Sequence, residues 1–408
     1  MPEQFHFTEV KPGAKLRGLT QFRRGARLPK FIGGPTDAGA KLGELRVAVI
    51  GCGSVGGPVA LKLARMGVAA LWLVDGKNFK AESLLTHEIG PGDIGKSKAV
   101  VTGQRCRAIS PATQVHVFAG RVENLPMDAF ADVDLVILAT DNLAAELEVS
   151  RRCRQWAKTM IQAAVHGESL IAQVRILSNA GEEKPCVACG YGQEEWRQLT
   201  RQTQFPCDGS GESAPQASEP PTVSVSGLCS LAADLALNQI LRLALKLGAP
   251  VTDAMLEFCG HTNRAITSPL ARNANCPCDH RRFGLLTAPK PLREASLAEL
   301  AAAAGFRGAV GVATFALEGR EWARLGQCQC PVPHSVDRFI PAGQPHAGRC
   351  AKCRAAIPVP PFFRHRTVSA WTLGQAMVAA LDALGAGPVR CVLADNGHDA
   401  VLFRNPTS

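Results

Sequence analysis

A strand that runs directly into a glycine loop and then a helix constrains this chain more than any other feature. In RVAVIGCGSVGGPVALKLARMG, Arg46 to Gly67, an apolar run ends at Gly51, Gly53 and Gly56, spaced G-x-G-x-x-G. PVALKLARMG then takes up a helical apolar period. The first glycine permits a tight turn, the second lets a ligand approach the backbone, and the free N–H groups of the helix start face an anion. Asp75 ends the next apolar run, ALWLVDG, where a carboxylate accepts hydrogen bonds from ribose hydroxyls. The pattern predicts a nucleotide site; the competing reading is a glycine turn used only for packing.

Downstream, KSKAVVTGQRCRAIS reads as a helix, TQVHVFAG and VDLVILATDN as strands, and AAELEVSRRCRQWAK as a helix. This alternation predicts an α/β fold with a Rossmann-like, doubly wound, mostly parallel sheet. ESLIAQVRILSNAG follows as strand material. Residues 202–223 are rich in Ser, Pro and Gly and read as a loop. GLCSLAADLALNQILRLALKLG is a long apolar helix stopped by a glycine, and MLEFCGHTNRAITS is strand-like. Beyond Pro289 and Pro291, SLAELAAAAG opens with a capping box of Ser296 and Glu299. TLGQAMVAALDALG then reads as a helix, and VRCVLADNGHDAVLFR as a hairpin turning at Asn396-Gly397. The expected organisation is a basic arm over 1–43, a nucleotide-binding domain over 44–288, and a smaller C-terminal α+β domain over 289–408.

A hydrophobic content of 46% allows sizeable cores. No apolar run of about 20 residues, as a membrane span needs, stands out. MPEQFHFTEV carries acids and lacks the apolar stretch of a signal peptide, so the cytoplasm is the expected location. Part of the net charge of +10 sits between Glu9 and Asp37, where no acid interrupts. That segment is either a solvated arm or one that brings an arginine to a polyphosphate or an acidic partner. It lacks the repeats and interleaved aromatics of a nucleic-acid binder, so nucleic acid is not an expected partner.

Fifteen cysteines in such a compartment argue against a disulfide framework and for metal or thiol chemistry. CVAC supplies Cys186 and Cys189, and NANCPCDH supplies Cys276 and Cys278. Two close pairs from distant segments suit one tetrahedral Zn²⁺ with four thiolates. CQC (Cys328, Cys330) and CAKC (Cys350, Cys353) suit a second structural Zn²⁺ in the C-terminal domain, with His334 and His346 as alternative ligands.

Three features favour ATP over a dinucleotide. Lys98, in GDIGKSKAV, starts a helix from which it could reach phosphates, although a lysine there also reads as a solvated charge. Asp141, in LVILATDN, ends a sheet strand, where a carboxylate suits Mg²⁺ beside a triphosphate or caps the next helix. The cysteine pairs have no role in a simple hydride-transfer fold.

Taken in order, the glycine loop, Asp75, GKSKA, ATDN, CVAC and NCPC resemble the pattern of the ThiF/MoeB and ubiquitin-activating enzyme superfamily, from Leu45 to His280. The resemblance implies an enzyme that uses ATP and Mg²⁺ to adenylate the C-terminal Gly-Gly carboxylate of a ubiquitin-like protein. Gly51, Gly53, Gly56, Asp75, Lys98 and Asp141 would form the ATP site, with Lys98 and Asp141 catalytic. In thioester-forming members the nucleophile lies in the crossover loop, here 202–223. That makes Cys207 the candidate to take the ubiquitin-like chain before a conjugating enzyme receives it. In members of the family an N-terminal arginine reaches the neighbouring subunit's site, so the resemblance implies a homodimer. Enzymes of bacterial ubiquitin-like conjugation operons, some tied to antiviral defence, are the members this chain resembles. Sulfur-carrier adenylyltransferases of thiamin or molybdopterin synthesis, tRNA-modifying dehydratases and a binding-only scaffold stay open as alternatives.

The sequence departs from the pattern in two places. The family reads N-L-x-R-Q/H where this chain has SLLTH, Ser83 to His87, so Thr86 replaces a phosphate-binding arginine. Lys77, Arg23 or Arg24 is expected to supply the missing cation. The second cysteine pair is C-x-C rather than C-x-x-C, so His280 competes with Cys278 as the fourth zinc ligand.

Overall fold

The structure, a computed structural model, describes residues 7–11, 30–203, 224–249, 251–306, 310–331 and 335–406. By internal contacts it divides into two units, Met1–Leu125 with Ala129–His280, and Pro126–Asp128 with Arg281–Ser408.

In the first unit the strands are β1 (Thr8–Glu9), β2 (Arg46–Ile50), β3 (Ala70–Val74), β4 (Gln114–Phe118), β5 (Leu135–Leu138), β6 (Thr159–His166), β7 (Ile171–Leu177), β8 (Ala254–Cys259) and β9 (Arg264–Pro269). The helices are α1 (Ala38–Glu44), α2 (Gly56–Met66), α3 (Lys98–Ile109), α4 (Leu143–Gln155), α5 (Gln193–Thr203) and α6 (Ser226–Leu245). Among the described residues these strands form one sheet, ordered β1-β4-β3-β2-β5-β6-β7-β8-β9. The run from β4 to β6 is parallel, and β1 and β7–β9 extend it antiparallel.

The parallel strands are apolar throughout because both faces are covered. Val47 and Val49 of β2, with Leu135 and Ile137 of β5, join one core with α2, α3 and α6. Ala48, Ile50, Val136 and Leu138 alternate onto the opposite face, beside Val149 and Cys153 of α4. Helices therefore cover both faces, as the strand–helix alternation predicts.

Helix α6 bears on the expectation that no segment spans a membrane. Its 20 residues are long and apolar enough to cross a membrane by length and composition. Here Leu228, Cys229, Ala232, Ala233, Ala236 and Ile240 face the core, and α6 packs on α2, β6 and β7. Full burial of each Leu or Ile contributes about 1.5–3 kcal/mol. The expected basic arm is also partly structured. β1 pairs with β4, and Ala38 and Leu42, one turn apart on α1, are buried with Leu245.

In the second unit the elements are β10 (Phe283–Thr287), α7 (Leu297–Ala303), β11 (Thr314–Leu317), β12 (Arg320–Gln327), β13 (Ser335–Pro341), β14 (His346–Arg349), β15 (Ala356–Pro358), β16 (Arg364–His365), β17 (Val368–Ser369), α8 (Ala370–Leu373), β18 (Cys391–Asp395) and β19 (Ala400–Arg404). They form sheets ordered β10-β19-β18-β11-β17, β13-β12-β16 and β14-β15. The contact break lies between His280 and Arg281, ahead of the 288/289 boundary read from the prolines. Its cause is β10, which pairs in parallel with β19. The β18–β19 hairpin turns at Asn396-Gly397, where Asn396 Oδ1 accepts from the N–H groups of His398 and Asp399.

TLGQAMVAALDALG is not one helix. α8 stops at Gly374, a short 3-10 turn follows, and Leu381 N–H donates to Ala295 O. Pairing with the start of the unit overrides an apolar spacing that is locally helical. The α7 capping box is present: Ser296 Oγ accepts from Glu299 N–H at 3.2 Å, and Glu299 Oε2 accepts from Ser296 N–H at 2.8 Å. Ser296→Ala should lower the stability of this unit by about 1 kcal/mol. Chemical denaturation, with hydrogen exchange read over α7, checks it.

Candidate functional site

The sheet order reverses at β2 and β5, with α2 and α3 on one face and α4 on the other. Such a switch point opens a crevice at the carboxyl ends of the strands. The glycine loop lies there. Gly51 has φ +89°, and a Cβ on it would sit 2.2 Å from Ala139 O. A Cβ on Gly56 would sit 1.9 Å from Gly51 O. Packing inside the turn thus demands both glycines. Gly53 differs, because a Cβ there meets nothing closer than His87 Nε2, at 3.6 Å. Its missing side chain keeps the outer face of the loop clear. Asp75 ties the loop to the end of β3: Oδ2 accepts from Cys52 N–H and Oδ1 from Lys77 N–H, each at 2.8 Å. Each carboxylate oxygen keeps a further lone pair for a ligand.

Two lysines reach the same place. Lys98 opens α3 behind Ser97, whose Oγ accepts from Val100 N–H, and Lys98 N–H donates to Lys77 O. Lys98 Nζ lies 3.2 Å from His87 Nε2 and 5.7 Å from the centre of the Phe79 ring. His87 stands edge-on to Phe79 and places Nδ1 2.9 Å from Thr86 Oγ1. Burial, and then the Lys98 charge, lowers His87 to about 4. The ring is therefore neutral at pH 7, with Nε2 free to accept from the ammonium group. Burial also lowers Lys98, and Asp75 and Asp141 act against that shift.

Asp141 is exposed and pairs with Lys77 Nζ at 3.6 Å. The cap of α4 is Asn142, whose Oδ1 accepts from Ala145 N–H at 3.0 Å, so Asp141 is left for other work. Gly51, Gly53, Gly56, Asp75, Lys77, Lys98 and Asp141 thus gather at one end of the sheet. Cys52 is buried there, and burial followed by the Asp75 charge pushes its thiol up. Two contacts were not foreseen. One is the His87 ring on Lys98, although His87 ends the SLLTH motif. The other is Glu146, buried in the first turn of α4, whose Oε2 accepts from Tyr191 Oη at 3.1 Å. Tyr191 is the only tyrosine in the chain, which was the available signal.

Every described cysteine is free. Four donor atoms converge in the first unit, from Cys186, Cys189, Cys276 and His280. Cys186 Sγ lies 3.8 Å from Cys189 Sγ and 3.6 Å from Cys276 Sγ, and Cys189 Sγ lies 3.8 Å from His280 Nε2. A Zn–S bond of about 2.3 Å sets tetrahedral sulfurs about 3.8 Å apart, so this donor set fits zinc. His280 Nδ1 donates to Lys184 O at 3.1 Å, which turns Nε2 toward the sulfurs. Arg154 fixes the surrounding loops by donating to Gly181 O and His280 O, at 2.8 and 2.9 Å. Of the two candidates for the fourth position, Cys278 lies against Cys186 and Cys276, and His280 joins the converging set.

In the second unit Cys328, Cys330 and Cys350 converge, with Cys353 beside them. His346 Nδ1 instead meets Gln344 Nε2 at 3.0 Å. Asp128, Glu318 and Cys391 also lie together, but Arg390 pairs with both carboxylates and Arg404 with Asp128, so charge there is already balanced. Cys207, Arg23, Arg24 and His334 lie outside the described residues.

The sequence pattern of the ThiF family matches residues 26–279. The chain is 31% identical over 159 residues to the sulfur carrier protein ThiS adenylyltransferase of Escherichia coli, 38% of this chain and 61% of that protein. It is 28% identical over 173 residues to adenylyltransferase and sulfurtransferase MOCS3-1 of Zea mays, 42% of this chain and 36% of that one. It is 25% identical over 269 residues to the sulfur carrier protein adenylyltransferase of Thermus thermophilus, 64% of this chain and 90% of that one. The chain thus spans less than two thirds of the first two relatives. Among solved structures, E. coli MccB with ATP aligns at 17% identity with a TM-score of 0.46, over 59% of this chain and 67% of that one.

Gly56→Ala drives a methyl group into Gly51 O and should destabilise the first unit by about 3 kcal/mol or more. Thermal unfolding measures it. In an NMR titration His87 should change protonation near pH 4. Its folded value lies below the ordinary one of 6.5, so the unfolded chain takes up the proton first. The stability it contributes is full above pH 6.5 and is lost as pH falls toward 4. His87→Gln should flatten that part of the stability–pH curve.

Proposed function

Because this chain belongs to the ThiF family, we propose that its first unit binds ATP in the glycine-loop crevice and transfers AMP to the C-terminal carboxylate of a ubiquitin-like protein. One observation carries the reading: Lys77, Lys98 and Asp141 meet Asp75 and the glycine loop at the switch point of the sheet. Asp75 is placed for the ribose, Gly53 leaves room for phosphate, and the start of α2 faces the anion.

A carboxylate is a poor electrophile. One of its oxygens attacks the α-phosphorus, the bond to the β-phosphate oxygen breaks, and pyrophosphate leaves with the electron pair. The product is a mixed anhydride. Lys98, aimed by a neutral His87 that adds no charge, offsets charge that develops on the phosphates. Thr86 offers no cation where the family places an arginine, and Lys77 supplies one beside Asp141. Asp141 suits Mg²⁺, which neutralises triphosphate charge when bound.

The similarity to sulfur-carrier adenylyltransferases supports the first half-reaction, which the sulfur-carrier reading shares. On the ubiquitin-like reading Cys207 then attacks the acyl carbon, AMP leaves, and the thioester passes to a conjugating enzyme. Arg23 or Arg24 of a second copy would complete the site of a homodimer.

Lys98→Ala and Asp141→Asn should each lower partner-dependent ATP–pyrophosphate exchange by about 10²–10³-fold. Tight NAD(H) binding in calorimetry, with no uptake of magnesium-ATP, overturns the reading. Cys207→Ser should keep the exchange and lose a reductant-sensitive adduct with the ubiquitin-like partner. If the native chain forms no such adduct while exchange persists, the sulfur-carrier reading takes its place.

A further inference from the structure

The ThiF pattern ends at residue 279, and the second cysteine cluster lies beyond it. That cluster belongs to a small lobe built from the end of β12, β13 and the β14–β15 hairpin. The lobe has its own core, in which Ala323, Ile340, Ala347, Ile357 and Val359 are buried with Cys328 and Cys350. Two of these are alanines. So few apolar groups are a weak source of stability for two hairpins, the circumstance in which small folds use a metal.

The cysteines occupy the two turns where such a metal would sit. Cys328 and Cys330 follow directly on β12, and Cys350 and Cys353 fill the turn between β14 and β15. That turn is tightly specified. Cys350 N–H donates to Ala355 O at 2.9 Å, Arg354 N–H donates to Cys350 O at 3.0 Å, and Arg354 takes φ +60° to reverse the chain. Lys352 N–H points at Cys350 Sγ from 3.4 Å, an arrangement that stabilises a thiolate. The Sγ atoms of Cys330 and Cys350 are 3.7 Å apart. A disulfide needs about 2.0 Å, whereas the edge of a zinc–sulfur tetrahedron is about 3.8 Å. The Sγ atoms of Cys328, Cys330 and Cys350 all lie within 4.8 Å of one another. Cys353, the exposed member, lies within hydrogen-bonding reach of Cys330 and Cys350. An all-sulfur donor set selects a soft or borderline cation and rejects Mg²⁺ and Ca²⁺.

We propose that Cys328, Cys330, Cys350 and Cys353 bind a structural zinc ion that holds the β12–β15 lobe together. Binding exchanges thiol protons for the metal and involves no redox change. The inference is independent of what the first unit adenylates.

The test uses the full-length chain purified without chelator, with zinc measured by mass spectrometry. Two zinc ions per chain are expected. Cys328→Ser/Cys350→Ser should remove one, and Cys186→Ser/Cys276→Ser should remove the other. Zinc content unchanged by Cys328→Ser/Cys350→Ser overturns the proposal. A variant that fails to fold is bypassed by loading Co²⁺ into the Cys186→Ser/Cys276→Ser chain. The intense thiolate charge-transfer absorption of a four-sulfur site is expected there, and its absence also overturns the proposal. Stripping zinc from the native chain should speed hydrogen exchange in β13–β15, and unchanged exchange there counts against a structural role.

Discussion

Two backbones touch where no side chain would fit, and the nucleotide crevice follows from that contact. The space for a Cβ on Gly56 is taken by Gly51 O, and that for one on Gly51 by Ala139 O. The start of α2 is thereby docked against the ends of β2 and β5. Everything else at the crevice is measured from this joint. Asp75 reaches Cys52 N–H, and Gly51 N–H donates to Val74 O at the end of β3. The face of Gly53 stays open because its neighbours, not Gly53 itself, absorb the crowding. The contact involves only glycine and alanine backbone, so its tolerance for substitution is set by sterics rather than by chemistry.

Charge at the crevice is arranged in pairs with different partners. Lys77 meets a carboxylate, Asp141, in an exposed pair that solvent and salt screen. Lys98 meets a neutral imidazole and an aromatic ring in a half-buried setting. An imidazole partner directs the ammonium group without cancelling its charge. The fields of Asp75 and Asp141 also reach Lys98, while Lys77 stays in its exposed pair with Asp141. Thr86 places its hydroxyl against His87 Nδ1 and helps to set the ring.

Much of the first unit was legible because its signals are local. Apolar runs of four to five residues between helical patterns gave β2, β3, β4 and β5 in order, and the glycine spacing marked the joint. Long-range effects were not legible. The stretch after Ala370 has helical spacing, yet Gly374 ends α8 and Leu381 pairs with Ala295, far earlier in the chain. The residues before Gly43 look like a charged arm, yet Leu42 is buried with Leu245. Helix α6 passes a membrane-span criterion on composition, and only its neighbours show that its apolar stripe is spent on the sheet. Around the first zinc-type cluster, C-x-C spacing leaves Cys278 and His280 both within reach, and the bond from His280 to Lys184 O aims the ring at the sulfurs. That bond depends on the fold and leaves no mark in sequence spacing.

The two metal-ligand clusters differ in how far apart their members lie along the chain. Cys186 and Cys276 are 90 positions apart, and Cys330 and Cys350 are 20 apart. The nearer pair needs only adjacent hairpins, so its donors can be brought together locally. The distant pair must wait until α6 has been laid down and β8 has paired with β7, since those elements carry Cys276 back to Cys186. Closure of such a span is entropically slow to achieve. The donors of the first cluster therefore come together only as the larger unit closes, while those of the second need only their own two hairpins.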